Sequence, residues 1–260
     1  MKIAVAGGTG VVGRHVVREL ETGGHEPVVL SRSRGIDLTR TDGLDEALAG
    51  VEAVIDVSNT TALSGRAAVT FFDATTGNLL AAEERAAVGH HVALSIVGVD
   101  RVPLGYYQGK LRQEELCLAG PVPATVLRAT QFHEFPAQLI ARSRNSPVLA
   151  IPRMWSQTVA AREVAAALVA AALDQAAGRL PDLAGPRVER MEDLVRQLLK
   201  ARGRRGLVVP VRLPGRAGRA MAEGLLLPTE DGSRGTLTFD QWLATGDAEL
   251  VQPAAQRASP

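Results

Sequence analysis

Lys2-Ile3-Ala4-Val5-Ala6-Gly7-Gly8-Thr9-Gly10-Val11-Val12-Gly13 is the stretch whose reading decides the fold. A short apolar, β-branched run stops at Gly7, which reads as a strand ending in a turn. Apolar residues then recur at Val12, Val16, Val17 and Leu20, the spacing of a helix with one buried face. A glycine turn between a strand and a helix is a phosphate cradle. Gly7 permits the tight turn, Gly10 lets the backbone approach a pyrophosphate, and Gly13 lets the helix pack close to the strand. Free N–H groups at the helix start are expected to point at the phosphates, with Gly7, Thr9, Gly10, Val11, Val12 and Gly13 as the contact residues. The spacing is G-x-x-G-x-x-G, not the commoner G-x-G-x-x-G, and the competing reading is a glycine-rich turn that binds nothing.

Outward from this turn the chain alternates. Strands are predicted over 26–30, 53–57, 91–96 and 124–127, and helices over 44–49, 67–88 and 109–119. Such alternation predicts an α/β fold, a Rossmann-type doubly wound parallel sheet with helices on both faces. After residue 130 the alternation loosens. A strand is expected over 148–151, helices over 162–177 and 191–201, and an extended segment over 207–213 that contains Pro210. The predicted organisation is a dinucleotide-binding core over 1–132 and a small C-terminal substrate-binding region over 133–245, packed on the core. A disordered tail is expected over 246–260.

Composition narrows the function classes. Across 260 residues the formal net charge is +1, so no global field draws the protein to nucleic acid or to a membrane. The one cysteine, Cys117, excludes an internal disulfide and a cysteine-based zinc site, and it suits a reducing, cytoplasmic setting. The apolar N-terminus imitates a signal peptide, but glycines interrupt it and Arg14, His15 and Arg18 follow at once. The longest later apolar run, 164–173, is too short to span a bilayer. His90-His91 has no further ligands at metal-binding spacing, so no metal is expected.

The end of the second strand selects the cofactor. NAD sites usually place a carboxylate there for the ribose 2′-hydroxyl. This chain has Ser31-Arg32-Ser33-Arg34, and an arginine pairs with a 2′-phosphate. NADP(H) is therefore favoured over NAD(H), against the alternative that these arginines are solvated loop charges. Asp37-Leu38 is placed beside the adenine, or else forms a turn. Ser58-Asn59 ends the third strand, where open parallel sheets bind ligands.

These residues, together with Leu94-Ser95-Ile96-Val97-Gly98, Tyr106-Tyr107-Gln108-Gly109-Lys110 and Leu127-Arg128-Ala129-Thr130-Gln131-Phe132, resemble the atypical short-chain dehydrogenase/reductases, and within them the NmrA-like NAD(P)H-binding group. The segment 239–243 resembles a terminal helix of that group. The resemblance implies a Rossmann sheet, bound NADP(H) and a variable C-terminal substrate pocket. It leaves open whether the chain is a reductase or a non-catalytic NADP(H)-responsive regulator.

In short-chain dehydrogenases a Tyr-x-x-x-Lys pair performs the proton chemistry, and Tyr106 and Lys110 stand four residues apart on one helix face. On that likeness Tyr106 donates a proton to a carbonyl oxygen. Lys110 holds the nicotinamide ribose and lowers the tyrosine pKa, and Ser95 hydrogen-bonds the same oxygen. Tyr107 competes for the pocket, and packing is the plain alternative for each residue. Gln131 is expected at the nicotinamide, with Phe132, His133 and Trp155 at the substrate. Ordinary packing is as good a reading for Trp155, and a surface or capped role for His133. The basic stretch Lys200 to Arg219 carries seven cations and no acid, which reads as a solvated surface or a lid more readily than as a nucleic-acid strip. The expected partner is a small-molecule substrate, with no nucleic acid and no membrane, for a monomer or homodimer. The expected activity is reduction of a small carbonyl, quinone or enone.

Overall fold

The computed structural model describes residues 1–62, 64–143, 146–245 and 247; apart from Asp247, the tail expected over 246–260 lies outside them. β1 (Lys2–Ala6) leads through the glycine turn into α1 (Gly13–Thr22) and then β2 (Glu26–Leu30). A short 3₁₀ turn, Arg32–Arg34, precedes α2 (Leu44–Ala47) and β3 (Ala53–Asp56). α3 (Gly65–Arg85), β4 (His90–Ile96), α4 (Gly105–Ala119) and β5 (Ala124–Ala129) complete the alternation. The helix predicted over 109–119 starts four residues sooner, at Gly105, which puts Tyr106 in its first turn.

Next come α5 (Phe135–Arg142), β6 (Val148–Pro152) and β7 (Trp155–Ser156), and after them α6 (Ala161–Leu173) and β8 (Gly178–Arg179). β9 (Glu189–Arg190), α7 (Met191–Ala201), β10 (Leu207–Val211), α8 (Gly215–Ala222) and α9 (Phe239–Leu243) follow. The chain therefore does not divide once, after residue 132. The first compact unit is Met1–Ala129 with Ala161–Asp182; the second is Thr130–Ala160 with the described residues from Leu183 onward. The return has a physical cause. The alanine-rich face of α6 (Ala161, Val164, Ala165, Leu168, Ala172) is buried in the first unit, against α1 and against β3 and β4.

The sheet of the first unit has the order β2-β1-β3-β4-β5-β8, all parallel. From β1 the chain goes to β2 on one side and then to β3 on the other, so the order reverses at β1. That reversal opens a crevice at the carboxyl ends of β1 and β3, where such sheets bind ligands. α1 packs with α6 and α3 with α4. The second pair crosses closely: a Cβ on Gly109 would lie 2.7 Å from the Ala68 carbonyl carbon. β3 is buried along its whole length, as a strand covered on both faces must be. Its last residue, Asp56, is nonetheless charged and needs partners.

The second unit is built around α7, whose buried face (Met191, Leu194, Val195, Leu198, Leu199) packs against the parallel pair β6–β10 and against α9. α9 begins with a capping box formed by Thr238 and Gln241. No helix among the described residues is long and apolar enough to cross a membrane.

Candidate functional site

The glycine turn has no room for a side chain at Gly7 or Gly13. Gly7 has a φ of +80°, a left-handed conformation open to glycine, and a Cβ there would lie 2.8 Å from the Val57 carbonyl oxygen. A Cβ on Gly13 would run into the Gly7 carbonyl oxygen and come within 2.6 Å of Gly8 Cα. Inside the turn the Gly8 amide donates to the Val5 carbonyl at 3.2 Å and the Gly10 amide to the Gly7 carbonyl at 2.9 Å. The amides of Thr9, Val11, Val12 and Gly13 make no such bond within the described residues. They form a cluster of donors awaiting an acceptor, at the amino end of α1, where an anion is favoured.

Polar groups border this cluster. A Cβ on Gly7 would lie 2.9 Å from Ser58 Cα, so Ser58 flanks the turn. Its amide donates to Asp56 Oδ1 at 2.8 Å, while its hydroxyl is buried with no partner among the described residues. Arg14, the residue after Gly13, has a buried Nε that also lacks a partner among the described residues; nothing local in the sequence separates it from a surface arginine. A cradle that excludes Cβ atoms, four idle amides and an orphaned hydroxyl fit the diphosphate of a dinucleotide.

At the end of β2, Ser31 is buried and pairs with Ser33 (Oγ to Oγ, 3.1 Å). Arg32 beyond it is exposed, and no ion pair among the described residues holds it. Asp37 makes a turn: its Oδ1 accepts from the Thr39 amide at 3.0 Å and the Thr39 hydroxyl at 2.8 Å, and these bonds hold its carboxyl below the ordinary range. Leu38 is a core residue whose carbonyl accepts from Asn78 Nδ2 at 3.0 Å. The turn reading of Asp37 is thus realised, with Oδ2 left over.

α4 separates the three residues expected to act together. Tyr106, in the first turn, donates its phenolic proton to Asn59 Oδ1 at 2.6 Å, beyond the carboxyl end of β3. Asn59 Oδ1 also accepts from the Thr60 amide at 2.8 Å. Burial pushes the Tyr106 phenol well above its ordinary pKa, and the neighbouring Tyr107 adds to this. The expected lowering by Lys110 does not occur. Lys110 lies one turn deeper and is 4% exposed, its ammonium donating to the Leu94 carbonyl and to Gln113 Oε1 over the Phe72 ring. Burial lowers its pKa to about 8, although Asp56 works the other way. Gln113 Nε2 in turn donates to Asp56 Oδ2 at 2.7 Å, which gives the charged end of β3 its partner.

Ser95 is a second correction. The β4–β5 register sets it opposite Arg128. Its hydroxyl donates to Glu114 Oε1, and Glu114 takes two further bonds from the Arg128 guanidinium, at 2.8 and 2.6 Å. Asp100 completes the group at 2.9 Å from Arg128. A hydroxyl whose proton is committed to a carboxylate is not available to a substrate oxygen. The sequence held a clue to this: Lys110, Gln113, Glu114 and Cys117 recur at the spacing of one helix face, so a polar stripe faces the sheet.

In the second unit, both amide atoms of Gln131 are buried without a partner among the described residues, two residues beyond β5. Phe132 bridges Val159. His133 is corrected from a substrate residue to a core residue. It is buried, with Nδ1 2.9 Å from Thr158 Oγ1, Nε2 2.9 Å from the Leu237 carbonyl, and Phe239 and Trp242 packed on its ring. Accepting at Leu237, the carbonyl fixes the proton on Nε2, so neither nitrogen is spare. Trp155 is half-buried beneath Arg190, whose guanidinium sits 4.0 Å from the ring centre.

The NAD dependent epimerase/dehydratase family model matches residues 3–97, somewhat over a third of the chain. Solved structures match along nearly all of it. The Rossmann-type fold is the one these structures share. A UDP-glucose-4-epimerase from Stenotrophomonas maltophila, with bound NAD and formylated UDP-arabinopyranose, is similar at 18% identity and TM-score 0.73, over 100% of each chain. An NADPH-dependent quinone oxidoreductase from Escherichia coli, complexed with NADPH, is similar at 19% identity and TM-score 0.70, over 93% of this chain and 98% of that one. No protein of curated function matches the sequence significantly. Both of these neighbours hold a nicotinamide nucleotide, NAD in the epimerase and NADPH in the quinone oxidoreductase.

Proposed function

We propose that this chain is an NADP(H)-dependent oxidoreductase of the NmrA-like branch, acting in the cytoplasm on a small, electron-poor substrate. The observation that carries the reading is the set of unpartnered amides at Thr9, Val11, Val12 and Gly13 beside the orphaned Ser58 hydroxyl. These groups would hold the diphosphate. Arg32, exposed and without an ion pair just past β2, would take the 2′-phosphate that distinguishes NADP(H) from NAD(H). When bound, the nicotinamide nucleotide supplies or accepts a hydride.

The residues of α4 narrow the substrate. Tyr106 keeps its proton across the physiological range because burial raises its pKa, so it would act as a hydrogen-bond donor near the end of β3 once a substrate oxygen replaces Asn59 Oδ1 as its acceptor. With Ser95 and Lys110 engaged elsewhere, a strongly basic alkoxide would find little stabilisation. Reduction of a quinone or enone leaves a delocalised phenolate or enolate, which needs less. Among carbonyls, quinones and enones, the last two therefore suit this arrangement best.

The same engagement of Ser95 and Lys110 favours a second reading, an NADP(H)-binding regulator without turnover. Two measurements decide between them. A fluorescence titration should show saturable NADPH binding at least tenfold tighter than NADH, in line with about 1.5–3 kcal/mol for a charge-assisted bond. NADPH oxidation should then be observed with a panel of quinones and enones. Equal affinity for the two nucleotides would refute the Arg32 assignment, and tight binding without oxidation would select the regulator.

A further inference from the structure

We propose that the second unit carries a docking face for an anionic phospholipid surface, formed by the outer side of the β6–β10 pair. The two strands run parallel in the register Leu207↔Val148 and Val209↔Ala150. Side chains alternate along a strand, so these four residues share one face. The opposite face (Leu149, Ile151, Val208) is buried and packs toward α7. The outer face is open and apolar: Leu207 is 63% exposed, Val148 47% and Val209 36%, with Leu213 just beyond at 37%. Isolated exposed aliphatics are common; a contiguous set on paired strands marks an interaction surface.

Charge identifies the partner. Exposed arginines stand at both ends of the pair. Arg204 and Arg205 precede β10, while Arg153 and Arg212 directly follow β6 and β10, whose ends are joined by the Arg153 amide donating to the Val211 carbonyl at 2.8 Å. Arg216 and Arg219 follow on α8. No ion pair within the described residues engages these six, and the segment from Lys200 to Arg219 contains no acid. A net charge of +1 for the whole chain conceals this local excess. Aliphatic side chains framed by unpaired arginines match the two layers of a bilayer surface, acyl boundary and phosphate. Nucleic acid is the weaker match, because the face carries no aromatic side chain on which bases would stack.

The test is co-sedimentation of the full chain with phosphatidylglycerol and with phosphatidylcholine vesicles, at low and raised salt. Binding is expected with phosphatidylglycerol alone and should weaken with salt. Arg204→Glu/Arg205→Glu should lower it by well over tenfold, at about fivefold per cation removed near the surface. Leu207→Ser/Val209→Ser should lower it severalfold, with circular dichroism and urea unfolding confirming that each variant is folded. Absence of binding to phosphatidylglycerol overturns the proposal. So does binding indifferent to Leu207→Ser/Val209→Ser, which would mean a plain polyanion site, or equal retention on DNA or polyglutamate.

Discussion

The glycine turn and the α4–sheet interface stand on the same sheet and are built on opposite principles. At the turn, function comes from the absence of side chains: Gly7, Gly10 and Gly13 clear a space in which backbone amides remain unpaired. At the interface, side chains satisfy one another: Lys110–Gln113–Asp56 and Ser95–Glu114–Arg128–Asp100 are closed networks. Buried polar groups that partner each other stabilise and position; those left without partners await a ligand. The comparison teaches that the residue types expected for catalysis do not identify a site until their hydrogen bonds are accounted for.

The largest effect should come from filling the turn. Gly13→Val is expected to abolish NADPH binding, by more than about a hundredfold, or to prevent folding, since the Cβ meets backbone atoms of Gly7 and Gly8. Titration combined with circular dichroism distinguishes these outcomes, and a folded variant with unchanged affinity breaks the comparison. Arg128→Ala tests the interface. It strands Glu114 in the core and should cost about 3–5 kcal/mol in urea unfolding, with NADPH affinity retained in whatever remains folded.

Tyr106→Phe sharpens the boundary between the two regions. Turnover of an enone should fall on the order of a hundredfold with little change in NADPH affinity. Turnover equal to wild type would return Tyr106 to a packing role. Arg32→Ser should weaken NADPH about tenfold or more and leave NADH nearly unchanged.

The smallest expected effect is a pH dependence inside the α3–α4 layer. His91 is fully buried, with Nδ1 2.9 and 3.0 Å from the two Glu83 oxygens. Burial alone would lower its pKa, but Glu83, and Cys117 after it, raise it well above 6.5. The folded value exceeds the unfolded one, so the stabilisation is complete below about pH 6.5 and is lost as pH rises through the folded pKa. The stability gap between wild type and Glu83→Gln should therefore narrow above neutrality, by up to about 1.4 kcal/mol per pH unit. A gap that widens with pH would refute a protonated His91. Lys110 runs oppositely: its pKa of about 8 lies below the ordinary 10.5, so the cost of burying its charge is relieved as pH climbs between those values.

By itself the sequence determined the strand, the turn and the helix at residues 2–22 and the parallel alternation through β5. These depend on local rules: glycine where Cβ atoms do not fit, apolar periodicity, and the alternation of elements. Tertiary structure alone decided that α6 and β8 return to the first unit, that Ser95 faces Arg128, that Lys110 points inward and that His133 joins the core with Phe239 and Trp242. Spacing of four residues says that two side chains share a helix face; it does not say what lies across from that face. That is set by register between strands and by packing between residues distant in the chain.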